Sequence, residues 1–312
     1  MIGLVILTLT ANPAIDRNVT ADRLVFEDRG YILSTSESAG GRGINASCVI
    51  HSFGGKTRAV APSGGENGRR LQDFIRCCGF PVDTVPIRNE IRTNLTITDK
   101  QGLTVKLNQL GPELNAEEVE RLEQAVASRL EGASWLMLCG SLPPGVPPDF
   151  YANLIELARR RGVKTLLDTD GDALAPGIEA GPTAVTPNQQ EAERLRRRVQ
   201  VTRSHYLVAA GRIRGLGADS AVLSLGSRGA VGASGDRLYE ALPPRIDAVC
   251  PIGAGDALAA AFVWAMSERD DFANAVRWGV SAGTASARLP GVQFASLKET
   301  EAVYHLVDIR SV

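Results

Sequence analysis

Residues Trp135–Gly140 read WLMLCG, an apolar run with no polar break before the glycine. Successive side chains of a strand point to opposite faces, so a run apolar at every position must be covered on both sides. Strands of that kind are typical of parallel sheets, whose neighbours are joined by crossovers, usually helices. The rest of the chain therefore has to supply helices in alternation with strands, and its periodicity does so.

Ile2–Leu9 reads as a first strand and Ile44–Phe53 as a helix, with strand Thr57–Ala61 and helix Gly68–Cys78 after them. Asn115 with Glu118 three residues on is a capping-box pattern, and Val119, Leu122, Val126 and Leu130 then recur at helical spacing. Beyond the Trp135 strand the sequence predicts helix Asp149–Arg161, strand Val163–Leu167, strand Thr183–Thr186 and helix Glu191–Val199. Helix Tyr206–Leu216, strand Ala221–Leu225, a strand-like Ala230–Ala233 and two long helices, Ala257–Met266 and Phe272–Leu289, complete the pattern. Residues 17–38 are mostly polar with weak alternation, and Thr93–Asn108 alternates around a turn at DKQG, a hairpin signal. These form a second group of strands apart from the main alternation. The expected class is α/β: a mostly parallel sheet with helices on both faces, binding ligands beyond the carboxyl ends of its strands.

Composition narrows function by exclusion. A formal net charge of −1 leaves no basic field for nucleic acid or an anionic membrane, so phosphate recognition must rest on a few placed groups. The apolar opening MIGLVILTLT lacks a basic n-region and is too short for a membrane span. Five cysteines (Cys48, Cys77, Cys78, Cys139 and Cys250) form no CxxC pair and no zinc spacing, which suits a reducing cytoplasm. His51, His205 and His305 show no metal spacing.

Two nucleotide signatures fail on inspection. GGKT (Gly54–Thr57) ends like a P-loop, but Ile50 stands where its first glycine belongs, and it lies between a helix and a strand rather than the reverse. GRGINA (Gly41–Ala46) matches G-x-G-x-x-A formally, yet the preceding STSES is polar where a buried strand is required. Elsewhere, polar or glycine-rich patches fall at strand ends: NPAID (Asn12–Asp16), AGGRGIN (Ala39–Asn45), RTN (Arg92–Asn94), GSLPPG (Gly140–Gly145), TPNQQE (Thr186–Glu191), SLGSRG (Ser224–Gly229) and GAGD (Gly253–Asp256). In the last, a lone acid stands between a glycine turn and an apolar helix, where Asp is a preferred N-cap.

In this order the motifs resemble the ribokinase-like carbohydrate kinases, the phosphofructokinase B family. AGGRGIN and GAGD match its two signature regions, and NPAID, GSLPPG and Asn188-x-x-Glu191 point to its sugar-phosphate branch. The resemblance spans nearly the whole chain. It implies one ribokinase-like kinase domain over residues 1–312, with a small β-strand lid from about 17–38 and 92–108, acting in the cytoplasm. It implies ATP-dependent phosphorylation of a ketohexose phosphate, fructose 6-phosphate first, with ATP and Mg²⁺ as cofactors and a monovalent cation as a further candidate. Lid strands of two subunits pair in this branch, so a homodimer is expected; an exposed strand edge would otherwise invite pairing.

The resemblance also assigns roles. Asp256 would accept the sugar hydroxyl's proton, while the backbone of Gly253, Ala254 and Gly255, at the positive end of a helix, would form an anion hole. Substrate contacts would come from Asp16, Gly40, Gly41, Arg42 and Asn45, with Gly43 easing the turn. Arg92, with Ser141 beside it, would hold the substrate's existing phosphate, which an arginine fork suits, and Asn94 is a further substrate contact. Arg29 aligns with a lid lysine that reaches substrate across a dimer. Asn188 and Glu191 would organise Mg²⁺ through water, as magnesium gives up its shell reluctantly; helix capping is the alternative for that pair. Ser224, Gly226 and Gly229 would shape the ATP phosphate and ribose site, with the helix bearing Ser281, Gly283 and Thr284 beside adenine.

Three departures from the family pattern stand out. Arg42 occupies a position that is lysine in the 1-phosphofructokinases and tagatose-6-phosphate kinases and glycine in the minor 6-phosphofructokinase, Thr186 replaces the usual lysine, and Asp170 stands where serine is usual. Arg42 keeps 1-phosphofructokinase and tagatose-6-phosphate kinase open as substrate assignments. A non-catalytic sugar-phosphate or nucleotide sensor on the same fold is the alternative from another class.

Overall fold

The computed structural model describes residues 5–196, 199 and 202–312. Strand β1 (Val5–Thr10) leads through Asn12 and Pro13 into β2 (Ala14–Ala21), and β3 (Ile32–Gly40) returns beside it. Then come α1 (Arg42–Ser52), β4 (Thr57–Ser63), α2 (Gly65–Cys78) and β5 (Val82–Pro86). A hairpin of β6 (Arg92–Asp99) and β7 (Thr104–Asn108) precedes α3 (Ala116–Ala127), β8 (Ala133–Cys139), α4 (Phe150–Arg160) and β9 (Lys164–Asp168). Next are α5 (Leu174–Glu179), β10 (Ala184–Val185), α6 (Gln189–Arg196), α7 (Arg203–Arg214) and β11 (Ser220–Ser224). The described chain closes with β12 (Ala230–Ser234), β13 (Arg237–Leu242), α8 (Ala254–Glu268), α9 (Phe272–Ser286), α10 (Leu297–Tyr304) and β14 (Asp308–Ser311).

Ten strands form the main sheet in the order β14-β13-β12-β11-β10-β9-β8-β1-β4-β5. Its pairs from β11 to β5 are parallel, and β12, β13 and β14 extend it antiparallel. The WLMLCG run is β8, beside β1 at the centre. Its side chains divide by alternation: Leu136 and Leu138 join one apolar cluster, and Trp135, Met137 and Cys139 the other. The first cluster takes Leu71 and Ile75 from α2, Leu122 and Val126 from α3, and Leu154 and Ile155 from α4. The second takes Val49 and Ile50 from α1, Phe262 from α8 and Val280 from α9. Each fully buried Leu or Met contributes about 1.5–3 kcal/mol, so a polar residue in β8 would be expensive on either face.

Elsewhere the local chemistry decides the element ends. The Asn115–Glu118 capping box is present in full, with bonds of 3.0 and 2.9 Å, an arrangement worth about 1 kcal/mol. Helix α9 stops at Ser286 rather than Leu289, and α7 begins at Arg203 because Thr202 caps it. The helix expected over 191–199 runs from Gln189 to Arg196, and residues 197 and 198 lie outside the described part. Strands β5, β13 and β14 and helix α10 carried little apolar signal and are additions to the sequence reading. None of the described helices is long and apolar enough to cross a membrane.

A second, four-stranded sheet has the order β3-β2-β6-β7. Its β2–β6 pair is parallel and in register over Ala14–Ala21 and Arg92–Asp99, which sets Asp16 opposite Asn94. It leaves Ile32, Leu33, Val105 and Leu107 exposed.

Candidate active site

The carboxyl ends of β1, β8 and β9 open toward the helix starts of α1 and α8, and most of the predicted residues gather around them. Helix α8 begins at Ala254 with Gly253, at φ 83°, in the N-cap position. Asp256 is therefore the third residue of the helix and not its cap. Its carboxylate instead accepts a hydrogen bond of 2.7 Å from Asn45 Nδ2, in the first turn of α1. The first intrahelical bond runs from Ala257 N–H to the Gly253 carbonyl, so the Gly255 and Asp256 amides precede the ladder. The Ala254 amide is drawn back to the Pro251 carbonyl at 3.2 Å. A Cβ on Gly255 would meet nothing within 4 Å, so the face of this turn is open. Burial raises the Asp256 carboxyl above its usual range, with Arg42, the Asn45 bond and Lys106 opposing the shift.

Arg42 opens α1, and its side chain reaches the carboxyl end of β9 and the start of α6. Its guanidinium pairs with Asp168 at 3.1 Å, Asp170 at 2.5 Å and Glu191 at 3.5 Å. Burial works against its charge, but Asp168, Glu191 and Asp170 more than offset this and hold it firmly protonated. The cost falls on Asp168, at the end of β9, where burial outweighs Arg42 and pushes the carboxyl up to about 7. Asn188 and Glu191 form the capping geometry of α6, with Glu191 N–H on Asn188 Oδ1 at 2.9 Å and Asn188 N–H on Glu191 Oε2 at 2.8 Å. Among the described residues no three His, Cys, Asp or Glu are grouped closely enough to hold a metal by themselves. The acids around Arg42 are all hard oxygen donors, the type that suits a hydrated Mg²⁺.

A second group lies under the four-stranded sheet. Asn94 Nδ2 donates to Asp16 Oδ1 at 2.8 Å. Gly40 lets that carboxylate approach, since a Cβ there would sit 2.4 Å from Asp16 Cγ. Arg92 donates from its two terminal nitrogens to the Asn12 and Gln109 carbonyls, both at 2.9 Å. Asn12 Nδ2 reaches Leu110 O at 2.8 Å and Ser141 Oγ at 3.4 Å. Arg92 Nε, Asn12 Oδ1 and Asn94 Oδ1 are buried with no hydrogen-bond partner. Unpaired buried polar atoms are costly, and three so close together suit a polar ligand. Arg29 stands apart, exposed in the loop between β2 and β3, with no hydrogen bond or ion pair to the other candidate residues among those described.

On the other side of Asp256 lies a cleft of about 1170 Å³. Asn188, Ser224, Gly226, Gly229, Gly255, Gly283 and Thr284 line it. A parallel bridge between Asn188 and Ser224 ties the ends of β10 and β11 at its floor. Gly283 also has a packing reason: a Cβ there would lie 2.8 Å from the Ala254 carbonyl oxygen where α9 crosses α8. Ser281 is fully buried and bonds the Arg277 carbonyl at 2.7 Å, so it serves the helix rather than the cleft. Thr186 is buried and brings no charge to the cleft.

A separate four-stranded sheet, a carboxylate in the first turn of a late helix, and a cleft beside that turn are now in place. The model of the pfkB family carbohydrate kinases matches residues 5–300. The chain belongs to that family. It is 30% identical over 302 residues to ATP-dependent 6-phosphofructokinase isozyme 2 of Escherichia coli, covering 96% of this chain and 97% of that protein. A 1-phosphofructokinase of Borreliella burgdorferi is 29% identical over 283 residues, covering 90% and 91%. The solved structure of phosphofructokinase-2 from Escherichia coli in complex with substrates and products superposes with a TM-score of 0.91 at 31% identity, over 96% of this chain and 99% of that one. The fold is ribokinase-like, and the chain is a phosphofructokinase-type sugar-phosphate kinase.

Four residues of the site escaped the sequence reading. Asp168 had a signal, an acid at the carboxyl end of a buried strand. Asn12 lay within a quoted patch but was not singled out. Lys106, on β7, acts on Asp256 through its charge, and Pro243 lines the cleft in an irregular segment; only the tertiary fold brings these two to the site.

Proposed function

We propose that this kinase transfers the γ-phosphoryl group of ATP to the free primary hydroxyl of a ketohexose monophosphate, with fructose 6-phosphate as its substrate and fructose 1,6-bisphosphate as its product. The observation that carries the reading is Asp256: a carboxylate held by Asn45 between the Arg92 group and the open cleft. Arg92, Ser141 and Asn12 receive the phosphate already on the sugar, and Asp16 with Asn94 orients its hydroxyls. Asp256 takes the proton from the attacking hydroxyl, and its raised affinity for protons fits that task at neutral pH. The amides of Gly253, Gly255 and Asp256 and the dipole of α8 stabilise charge on the transferring group.

The cleft receives the nucleotide along Ser224, Gly226, Gly229, Gly283 and Thr284. Mg²⁺ would be held through water by Asn188 and Glu191, with Asp168 and Asp170 close by, and would neutralise phosphate charge. The four-stranded sheet serves as the lid of the one kinase domain. Phe26 beside it is 99% exposed, and it and the exposed Ile32, Val105 and Leu107 are apolar side chains that a homodimer would cover. In that dimer Arg29 reaches the partner's site.

A coupled ADP-release assay with Mg-ATP tests the reading on fructose 6-phosphate, fructose 1-phosphate, tagatose 6-phosphate and free fructose. Turnover on fructose 6-phosphate far above the others supports it. Preference for either other phosphosugar moves the assignment to 1-phosphofructokinase or tagatose-6-phosphate kinase. ATP binding with no turnover on any of the four refutes it in favour of a sensor.

A further inference from the structure

Cys48 and Cys78 play no part in the reaction proposed above, yet they face each other. Cys48 lies on α1 and Cys78 is the last residue of α2, with their sulfurs 3.8 Å apart. The Cys48 thiol is directed at Cys78, whose own S–H points to the Phe74 carbonyl oxygen at 3.4 Å. Both are half-buried against the apolar cluster that holds α2, and Cys77 beside them is exposed. A lone thiol in such a place is ordinary filler, as Cys139 is in β8. Two thiols 30 residues apart in sequence that meet from different helices are not explained by filling space.

We propose that Cys48 and Cys78 form a thiol–disulfide modification site, oxidised by small-molecule disulfides such as oxidised glutathione to an intrachain bond between α1 and α2. The hydrogen bond from Cys48 favours the thiolate of Cys78, so Cys78 is the attacking sulfur. It displaces one thiolate from the oxidant and forms a mixed disulfide. Cys48 then gives up its proton, attacks the Cys78 sulfur and releases the second small thiolate. The balance is two protein thiols oxidised to one disulfide and one small disulfide reduced to two thiols, which carry away the two protons. Bond formation needs the sulfurs to close from 3.8 Å to about 2.05 Å.

The bond has a consequence for the site, which rests on the kinase reading. Asn45, which holds Asp256 at 2.7 Å, lies one turn before Cys48 on the same helix. Drawing α1 toward α2 disturbs that contact, so oxidation lowers kcat several-fold.

The test treats the full-length protein with oxidised glutathione and follows intact mass and peptide maps. The proposal expects a loss of two hydrogens per chain, a Cys48–Cys78 cross-linked peptide, and full reversal by dithiothreitol. Cys77→Ser should behave as wild type, whereas Cys48→Ser should stop at a glutathione adduct on Cys78. Adducts confined to Cys77, or free Cys48 and Cys78 after prolonged oxidation, would overturn the site. A bond that forms without lowering turnover in wild type overturns only its coupling to Asn45. The mass readout does not depend on activity, so a failed kinase reading and a failed modification site remain distinct results.

Discussion

Arg42→Ala is expected to destabilise the fold by about 3 kcal/mol at pH 8, and by less at pH 6. The side chain meets two well-buried acids, Asp168 and Glu191, at 9% and 5% exposure, and one more open acid, Asp170, at 34%. Removing one partner of a buried pair costs about 3–5 kcal/mol. Asp170 is wet enough to count as a surface pair, worth about 0–1 kcal/mol. Arg42 is itself 27% exposed, so the lower end of the range applies. Asp168 sets the pH dependence. Its folded pKa, about 7 with Arg42 present, lies above the unfolded value, so the folded state holds the extra proton and this group's contribution to stability falls as pH rises through that pKa. Without the guanidinium the pKa rises further, the variant protonates Asp168 at pH 6, and the penalty shrinks there. Urea unfolding midpoints of wild type and variant at both pH values measure the difference, and Arg42→Lys should recover part of it. Wild-type stability in Arg42→Ala at pH 8, or a larger loss at pH 6 than at pH 8, would refute the reasoning.

Further expectations concern the reaction. Because burial raises Asp256, the acid limb of kcat/KM should lie above the ordinary carboxylate range, activity being lost as pH falls and the base is protonated. Asn45→Ala removes a bond that opposes the shift, so a pH–rate profile should place that limb higher still; an unmoved limb would separate Asp256 from the measured step. Arg92→Ala should raise KM for the phosphosugar roughly 10- to 100-fold, as expected for a lost charged hydrogen bond of ~1.5–3 kcal/mol, and leave KM for ATP unchanged. Equal changes in both would place Arg92 in general scaffolding.

Much of this arrangement was legible in residues whose local chemistry agrees with their tertiary use. WLMLCG reads as a strand covered on both faces and is one, and the Asn115–Glu118 box marks its helix start without outside help. AGGRGIN and GAGD were visible because a helix start beside small residues is a local feature. Asp256 was read as a possible cap, but positive φ favours glycine at the N-cap, and Gly253 takes that position. The direction of Arg42 was not legible: its partners come 126, 128 and 149 residues later, and no local pattern announces them. Strands β13 and β14 escaped for a similar reason, since strands at the antiparallel end of the sheet owe their form to the neighbours they pair with.

The central claim is that Asp256 is the base of a phosphoryl transfer, and Asp256→Asn tests it most directly. ADP release with Mg-ATP and fructose 6-phosphate should fall about 10²- to 10⁴-fold, while titration calorimetry shows ATP and sugar binding near wild-type affinity. Turnover within a few-fold of wild type in a correctly folded Asp256→Asn would contradict the account.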